Sequence, residues 1–515
     1  MNQSSLRVRH FFDEYGSDSF LELSRRLNTP AAQPSAMVKM ALDRLCREAG
    51  FDGPLPWTQP GDGSSLLQWG AVLAANHHGF DTTPEMVQAT LIFGLQAILE
   101  GGEEPPPVIV LACSSVPLGN ATGPGAFVFG RRGSKPRMGP CAAENRDVHG
   151  SSFGNRPQST PALGRPLRLN FFPRSWDWRP VAGVSALTRP DLLLAQKRLR
   201  QLDLEAGERQ VVGDLFEQYL LTENFLNLRD FKGQAAWFNQ RLWADRFPPG
   251  QAHPKLCFLD LESLTSSLLA LDLRQPDSAA AGLLLDPQMR PRLLNSLTGV
   301  QGCWSANLLE PGGAGQAGTR GTVMFWRRAD NGCFQPLGLD RRGCLSGGGI
   351  CLPWEAEPLA EGLSSGHLRP GLFLNYLALA DHGLEAHGGV YMADYRPTFL
   401  TMAAKLSGRA FKWGAPLLAA GPLPVTVGNT VGGDKRLFPD DHLRLHRCLA
   451  EYTIATPCDK MRLPDRAKSP IRGPDAPYPA GAMELTGPRS SEFWIRLGRL
   501  TLAEARDTTF NWLTM

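Results

Sequence analysis

The chain has 515 residues, 42% of them hydrophobic and 20% charged, with a formal net charge of +3 at pH 7. This is the make-up of a globular protein large enough for roughly two or three domains. The near balance of charge gives no reason to expect nucleic acid as a partner. No apolar run approaches the about 18 residues of a membrane span, because Leu372–Leu384 is interrupted by Asn375, Asp381 and His382, so no membrane partner is expected.

Met1–His10 is polar and basic without an apolar stretch, which argues against a secretory signal. The ten cysteines form no CxxC pair and no zinc-type spacing. Reduced thiols in a cytoplasmic protein, with no metal site, are therefore expected.

Residues 1–65 read as an N-terminal helical segment. Phe11, Phe12, Phe20, Leu21 and Leu23 come first, Asn28-Thr29-Pro30 breaks the pattern, Met37–Ala49 resumes it, and a Gly/Pro loop covers 52–65. Residues 66–180 read as the first part of an α/β core. Gly70–Ala75 and Val108–Cys113 are apolar on both faces, as strands of a parallel sheet covered by helices are. Between them Glu85–Leu99 forms a helix, with Thr83 as its N-cap and Pro84 at its first position.

Within this part, residues 130–180 hold ten basic residues against three acidic ones and are rich in Gly, Pro, Ser and Asn. They read as a surface loop, or more sharply as a basic lid over an anionic ligand or a site for an acidic partner. The stretch is read as lacking the interleaved aromatics of a single-strand nucleic-acid surface.

Residues 181–254 read as a helical insertion, with apolar residues at helical spacing over 190–247. Residues 255–430 read as the second part of the core. Lys255–Asp260 is a strand, and Ser263–Leu271 and Met289–Leu297 are helices. Thr319–Arg328 and Cys333–Leu339 form a β-hairpin turning at Asn331-Gly332 in a type I′ turn. Residues 343–365 follow as loop, Leu372–His382 as a buried helix, and Gly383–Tyr391 as a glycine turn before a helix that runs through Leu406. Residues 431–515 are a C-terminal extension, Pro-rich over Pro457–Ser490, with one more helix. The expected fold is α/β: a Rossmann-like parallel sheet core with a helical insertion and a small β-hairpin element.

Open parallel sheets bind ligands outside the carboxyl ends of their strands. The first strand runs into Asn76-His77-His78-Gly79, with Thr82 and Thr83 leading into a helix whose amino end favours an anion. His77 and His78 could contact that anion or move a proton near neutral pH. The second strand runs into Ser114 and Ser115, with Asn120 beyond, and these suit ligand hydrogen bonding. Cys113 reads as a small buried hydrophobe, because a catalytic thiolate needs a stabilising neighbour, and Ser114 and Ser115 read as hydrogen bonders rather than nucleophiles because no GxSxG elbow is present. Late in the core, His387-Gly388-Gly389, Tyr391, Asp394 and Tyr395 offer close backbone approach and polar contacts for an opposite wall.

These segments resemble the bacillithiol-biosynthesis cysteine-adding enzymes in three places, over about a third of the chain. Ala71–Gly79 with its helix is similar to that family's strand into a Gly-Gln-Gln-type turn. Val108–Ser115 follows at a similar distance, and Gly388-Gly389 through Tyr395 is similar to a Gly-rich turn leading to an Asn-Tyr helix. The hairpin near Phe325 also fits. The chain departs from the family in having Ser114-Ser115-Val116-Pro117 in place of a Glu-Asp-His-Asp element and His77-His78 in place of a turn ending in Gln, and no C-terminal coiled coil is apparent. The resemblance implies a Rossmann-like core and a nucleotide-like or amino-acid-like ligand. It does not carry cysteine ligation over.

The expectation is a cytoplasmic small-molecule biosynthetic enzyme of ligase or transferase type. It would bind an anionic or nucleotide-containing substrate at the strand ends, with ATP or another nucleotide and Mg as the candidate cofactor. The alternative is a non-catalytic binding or assembly protein that keeps an enzyme-like core and uses the basic loop to hold a partner.

Overall fold

Four short strands lie side by side and all run the same way. They are β1 (Ala71–Leu73), β2 (Val108–Ala112), β5 (Leu256–Asp260) and β12 (Glu385–His387), in the spatial order β12-β1-β2-β5. The last strand in sequence pairs with the first, so the direction of winding reverses between β1 and β12. The computed structural model describes residues 17–29, 33–51, 71–73, 78–80, 84–100, 107–119, 124–131, 167–202, 206–245, 253–297, 300, 324–339, 343–347, 350–387, 392–411, 436–437 and 498–499. Within them the protein is mixed α/β.

Helices cover both faces of the sheet, which is why β2 is buried along its whole length and carries no alternation. Ile109, Leu111, Cys257 and Leu259 join one core with α2 (Ala36–Glu48), α8 (Leu261–Asp272) and α12 (Leu372–Asp381). On the other face α3 (Pro84–Glu100) crosses β2 so closely that a Cβ on Gly94 would come within 2.5 Å of Pro254 and 3.1 Å of Val108. α1 (Phe20–Asn28) lies against α3. Its start is fixed by Ser19, whose hydroxyl caps the Glu22 amide while the Glu22 carboxylate accepts from the Ser19 amide.

A second core is built largely of phenylalanine. Phe80, from the segment after β1, touches Phe127, Phe171, Phe231 and Phe238 at ring separations of 4.9–5.4 Å. Phe127 and Phe171 come from or follow the antiparallel pair β3 (Ala126–Arg131) and β4 (Leu167–Asn170). The helical insertion supplies the rest. It consists of α4 (Arg189–Leu199), α5 (Ala206–Leu215) with a π-turn over Phe216–Leu220, α6 (Glu223–Leu226) and α7 (Phe231–Ala244).

Strands β1, β2 and β5, the helices between 189 and 244, Met289–Leu297 and the buried helix lie where the sequence places them, within one or two residues over the described stretches. Three expectations need correction. The hairpin β6 (Phe325–Arg328) and β7 (Phe334–Pro336) exists, but its turn is not a two-residue type I′ turn. Gly332 N–H donates to Ala329 O and Ala329 N–H to Cys333 O, and Gly332 takes φ +80°, so three residues form the loop with the glycine in the left-handed position. Residues 343–365 are not loop. They hold β9 (Leu345–Gly347), β10 (Ile350–Leu352) and α11 (Ala356–Ser364), with β8 (Gly338–Leu339) completing a small antiparallel sheet.

The third correction concerns Gly383–Tyr391, where the glycine turn is replaced in part by strand β12. After it, α13 (Met392–Ser407) packs on α12. Two more strands complete small sheets. β11 (Leu368–Pro370) pairs with β6, and β13 (Arg436–Leu437) pairs with β3. No helix among the described residues is long and apolar enough to cross a membrane.

Candidate functional site at the strand ends

β5 passes into α8 without a loop: Asp260 ends the strand and Leu261 begins the helix. This junction puts two carboxylates, Asp260 and Glu262, beside the end of β2. Glu262 is fully buried. Its Oε2 accepts from the Ser114 amide at 2.8 Å and the Ser114 hydroxyl at 2.8 Å. Its Oε1 accepts from the Ser115 amide at 3.1 Å, the Ser115 hydroxyl at 2.6 Å, the Cys113 thiol at 2.9 Å and Asn375 Nδ2 at 3.4 Å. One acidic side chain thus ties the whole turn after β2 to α8 and α12.

Asp260 is the centre of the charged group. Its Oδ2 accepts from Lys232 Nζ at 2.7 Å, Arg369 Nη1 at 2.7 Å and Ser263 Oγ at 2.6 Å. Ser114 Oγ lies 2.6 Å from Asp260 Oδ1 and itself accepts from Arg369 Nη1 at 2.9 Å. The single hydroxyl hydrogen of Ser114 is therefore shared between two carboxylates. Burial alone would push the Asp260 carboxyl up, but Arg369, Lys232 and His78 hold it well below the usual carboxylate range.

Each cation is delivered by a different element. Lys232 is the second residue of α7, whose start is set by Asp230 capping the Gly233 amide. Arg369 stands in β11 opposite Trp326, with its guanidinium 5.2 Å from the Phe334 ring centre, so the β-hairpin serves to aim it.

His78 completes the cluster. Its amide donates to Cys113 O at 3.1 Å, and the next residue is pinned because Asn239 Nδ2 donates to Gly79 O at 2.8 Å. The imidazole is 3% exposed and its Nε2 lies 3.6 Å from Asp260 Oδ1. Burial pushes its pKa down to about 4, against the pull of Asp260 and with Lys232 and Arg369 adding to the effect. It is thus a neutral ring at neutral pH. Among the described residues neither ring nitrogen has a hydrogen-bond partner, and buried Nε of Arg369 also has none.

Of the residues singled out in the sequence, His78, Ser114 and Ser115 meet here. Tyr395 lies close by, since it hydrogen-bonds Tyr376 and both hydroxyls sense the Cys113 thiol. Burial, with Cys113 adding to it, pushes the Tyr395 hydroxyl up to about 12. His387 turns elsewhere. Its Nε2 is 3.1 Å from Leu27 O, its ring lies against Phe93, and Glu385 is 3.7 Å away. Burial and Arg396 push its pKa down to about 3.

Asn76, His77, Thr82, Thr83, Asn120, Gly388, Gly389 and Tyr391 lie outside the described residues. Asp394 is placed by its backbone, in the first turn of α13. Cys113 is a buried thiol, with burial and Glu262 pushing its pKa far up, so it is an inert hydrogen-bond donor, as its sequence context suggests.

Asp260, Glu262, Lys232, Arg369 and Asn375 were not among the sequence candidates. A signal for the first two was present: Asp260-Leu261-Glu262 follows the apolar strand Lys255–Leu259 just as the histidines follow β1.

The described part of the basic stretch needs one correction. Trp176 and Trp178 lie between Arg174 and Arg179, and the Arg179 guanidinium sits 4.0 Å over the Trp176 ring, so arginine and aromatic residues do alternate there.

Comparison with protein-family models, with curated proteins and with solved structures finds no match for this chain.

Proposed function

We propose that the strand-end cluster binds a small anionic or nucleotide-containing substrate, and that the protein is a cytoplasmic biosynthetic enzyme of ligase or transferase type on a Rossmann-like core. The observation that carries this reading is the set of donors left over around Asp260. The carboxylate is already met by four donors, yet among the described residues His78 and Arg369 Nε remain buried without partners and Lys232 has hydrogens to spare. Surplus buried donors call for an acceptor-rich ligand. The position supports the same reading, because the cluster stands at the carboxyl ends of β2 and β5 in a parallel sheet whose winding reverses at β1. In this reading His78, Lys232 and Arg369 bind the anion, and Ser114 and Ser115 are held in place by Glu262 to orient the substrate. A nucleotide with Mg is the first candidate ligand, and the remote resemblance noted above points the same way.

A second reading is favoured by the saturation of Glu262, whose two oxygens accept six hydrogen bonds from protein groups. It is that of a non-catalytic binding or assembly protein whose polar cluster serves the fold, with residues 130–180 holding an acidic partner.

Thermal-shift measurements with nucleotides, amino acids and sugar phosphates, each with and without Mg²⁺, separate the two. A saturating ligand of the native state must raise the melting temperature. The first reading expects a nucleotide or phosphate-bearing compound to do so, and His78→Leu to abolish the shift. It is overturned if no compound in these classes stabilises the protein, or if the shift is unchanged in His78→Leu.

A further inference from the structure

Ser35, His382 and Asp272 form a second polar constellation, outside the strand-end cluster. Asp272 ends α8 and Glu262 lies in its first turn, ten residues earlier, which is roughly 15 Å along the helix axis. Ser35 is the N-cap of α2, with its hydroxyl accepting from the Val38 amide at 3.3 Å. The same Oγ is 2.9 Å from His382 Nδ1, and the Ser35 amide donates to His382 O at 2.8 Å. Two hydrogen bonds thus hold the serine against the histidine.

On the far side of the ring, His382 Nε2 is 3.0 and 3.2 Å from the two oxygens of Asp272, which is 3% exposed. A carboxylate can only accept, so in the neutral ring the hydrogen belongs on Nε2 and Nδ1 offers its lone pair to the Ser35 hydroxyl. This is a serine in contact with a base that a buried carboxylate orients, the arrangement that activates a hydroxyl for attack. The ring is turned so that Nδ1 rather than Nε2 faces the serine. Capping a helix needs only the serine and gives no reason for a buried histidine and carboxylate in line behind it.

Oxyanion donors are also at hand. The Ala36 and Met37 amides open the 13-residue helix α2 and make no hydrogen bond among the described residues. Ala36 is exposed, and Ser35 and Met37 are half-buried. Free amides at a helix start stabilise a developing negative charge.

We propose that Ser35 is the nucleophile of a second centre that transfers or hydrolyses small esters or thioesters, with His382 as its base and Asp272 as a positioning residue. The Ser35 Oγ forms a bond to the acyl carbon as its proton passes to His382 Nδ1. The same proton then goes to the departing alcohol or thiol as the bond to it breaks. Water, giving its proton to His382, attacks the acyl-serine, and that proton returns to Ser35 Oγ as the acid leaves. No oxidant, metal or other co-reactant is needed.

The test uses the full chain with an alkyl fluorophosphonate, which leaves fluoride behind as a phosphorus–oxygen bond forms at an activated serine. Peptide mass mapping should place the adduct on Ser35. The labelling rate should fall by about 100-fold or more in His382→Gln, the scale of an intramolecular base, and hydrolysis of p-nitrophenyl acetate should fall with it. Ser35→Asn retains a good N-cap, so it should keep the melting temperature and lose the label. Asp272→Asn gives a second way to disable the base should His382→Gln fail to fold. The proposal is overturned if the folded protein carries no adduct on Ser35, or if the adduct forms as fast in the folded His382 or Asp272 variant. The group would then be a capping network only.

Discussion

Glu262 holds Ser114 twice, by its amide and by its hydroxyl, both at 2.8 Å on the same carboxylate oxygen. A residue in the first turn of α8 thereby fixes the turn that ends β2, and Ser114 in turn touches Asp260 and Arg369. The sheet, the central helix and the hairpin meet at one serine.

Removing this acceptor should be costly. Glu262→Ala leaves two amides, two hydroxyls and a thiol facing a fully buried gap, and each unsatisfied buried donor costs about 1–3 kcal/mol. Urea unfolding should show a loss of at least ~3 kcal/mol. A loss below ~1 kcal/mol would mean that the turn re-pairs and that Glu262 does not organise it.

Stability should fall in acid in two stages. The folded pKa of His78 is about 4, below the about 6.5 of an unfolded histidine. Between these values the unfolded chain takes up a proton that the folded one refuses, so stability drops as pH falls from 6.5 to 4. At about 1.4 kcal/mol per unit, His78 contributes up to roughly 3 kcal/mol over that window. His387, pushed down to about 3, adds to the same slope.

Asp260 has its folded pKa below its unfolded one, so its contribution is present above about 4 and is lost only below that. Denaturant midpoints at pH 7, 5.5, 4.5 and 3.5 should therefore decline throughout, and His78→Leu should flatten the slope above pH 4. An unaltered slope in that variant would show that His78 titrates normally in the folded protein.

Gly79 has no room for a side chain. A Cβ there would stand 2.4 Å from Pro124 Cα and 2.9 Å from its carbonyl oxygen, both backbone atoms. Gly79→Ala should cost about 1–3 kcal/mol, the usual penalty for overpacking, and should weaken whatever His78 binds. Equal melting temperatures for the variant and the parent would show that the 78–80 segment moves aside freely.

Thiol reactivity should follow burial. Cys351 is exposed, whereas Cys46, Cys113 and Cys257 are buried. Brief native alkylation with iodoacetamide should modify Cys351 and spare the other three until denaturant is added. Early labelling of Cys113 would mean that its thiol is neither buried nor bound to Glu262.

The sequence is most legible where local pattern and burial agree. Val108–Ala112 and Leu256–Asp260 are uninterrupted apolar runs, and covered parallel strands are built of such runs. Glu385-Ala386-His387 carries no such signal. It is three residues long, two of them polar, and becomes a strand because β1 offers its backbone and because Arg396 meets Glu385 at 3.5 Å. The turn at 329–333 shows the limit of dipeptide rules. Asn331-Gly332 does mark a hairpin, but the hydrogen bonds between Ala329 and Cys333 choose a longer loop.

By itself the sequence determined where apolar strands stop and polar turns begin, and so pointed to His78, Ser114 and Ser115. Periodicity and turn chemistry are properties of neighbouring residues and need nothing else. Only the tertiary structure decided that Lys232 and Arg369, 28 and 109 residues from Asp260, converge on that carboxylate. It likewise decided that Ser35 meets His382 across 347 residues. Ion pairs and hydrogen bonds of this kind form between elements rather than within them. Which side chains meet depends on how helices and hairpins pack against the sheet, and that is fixed by the burial of the whole core rather than by any local pattern.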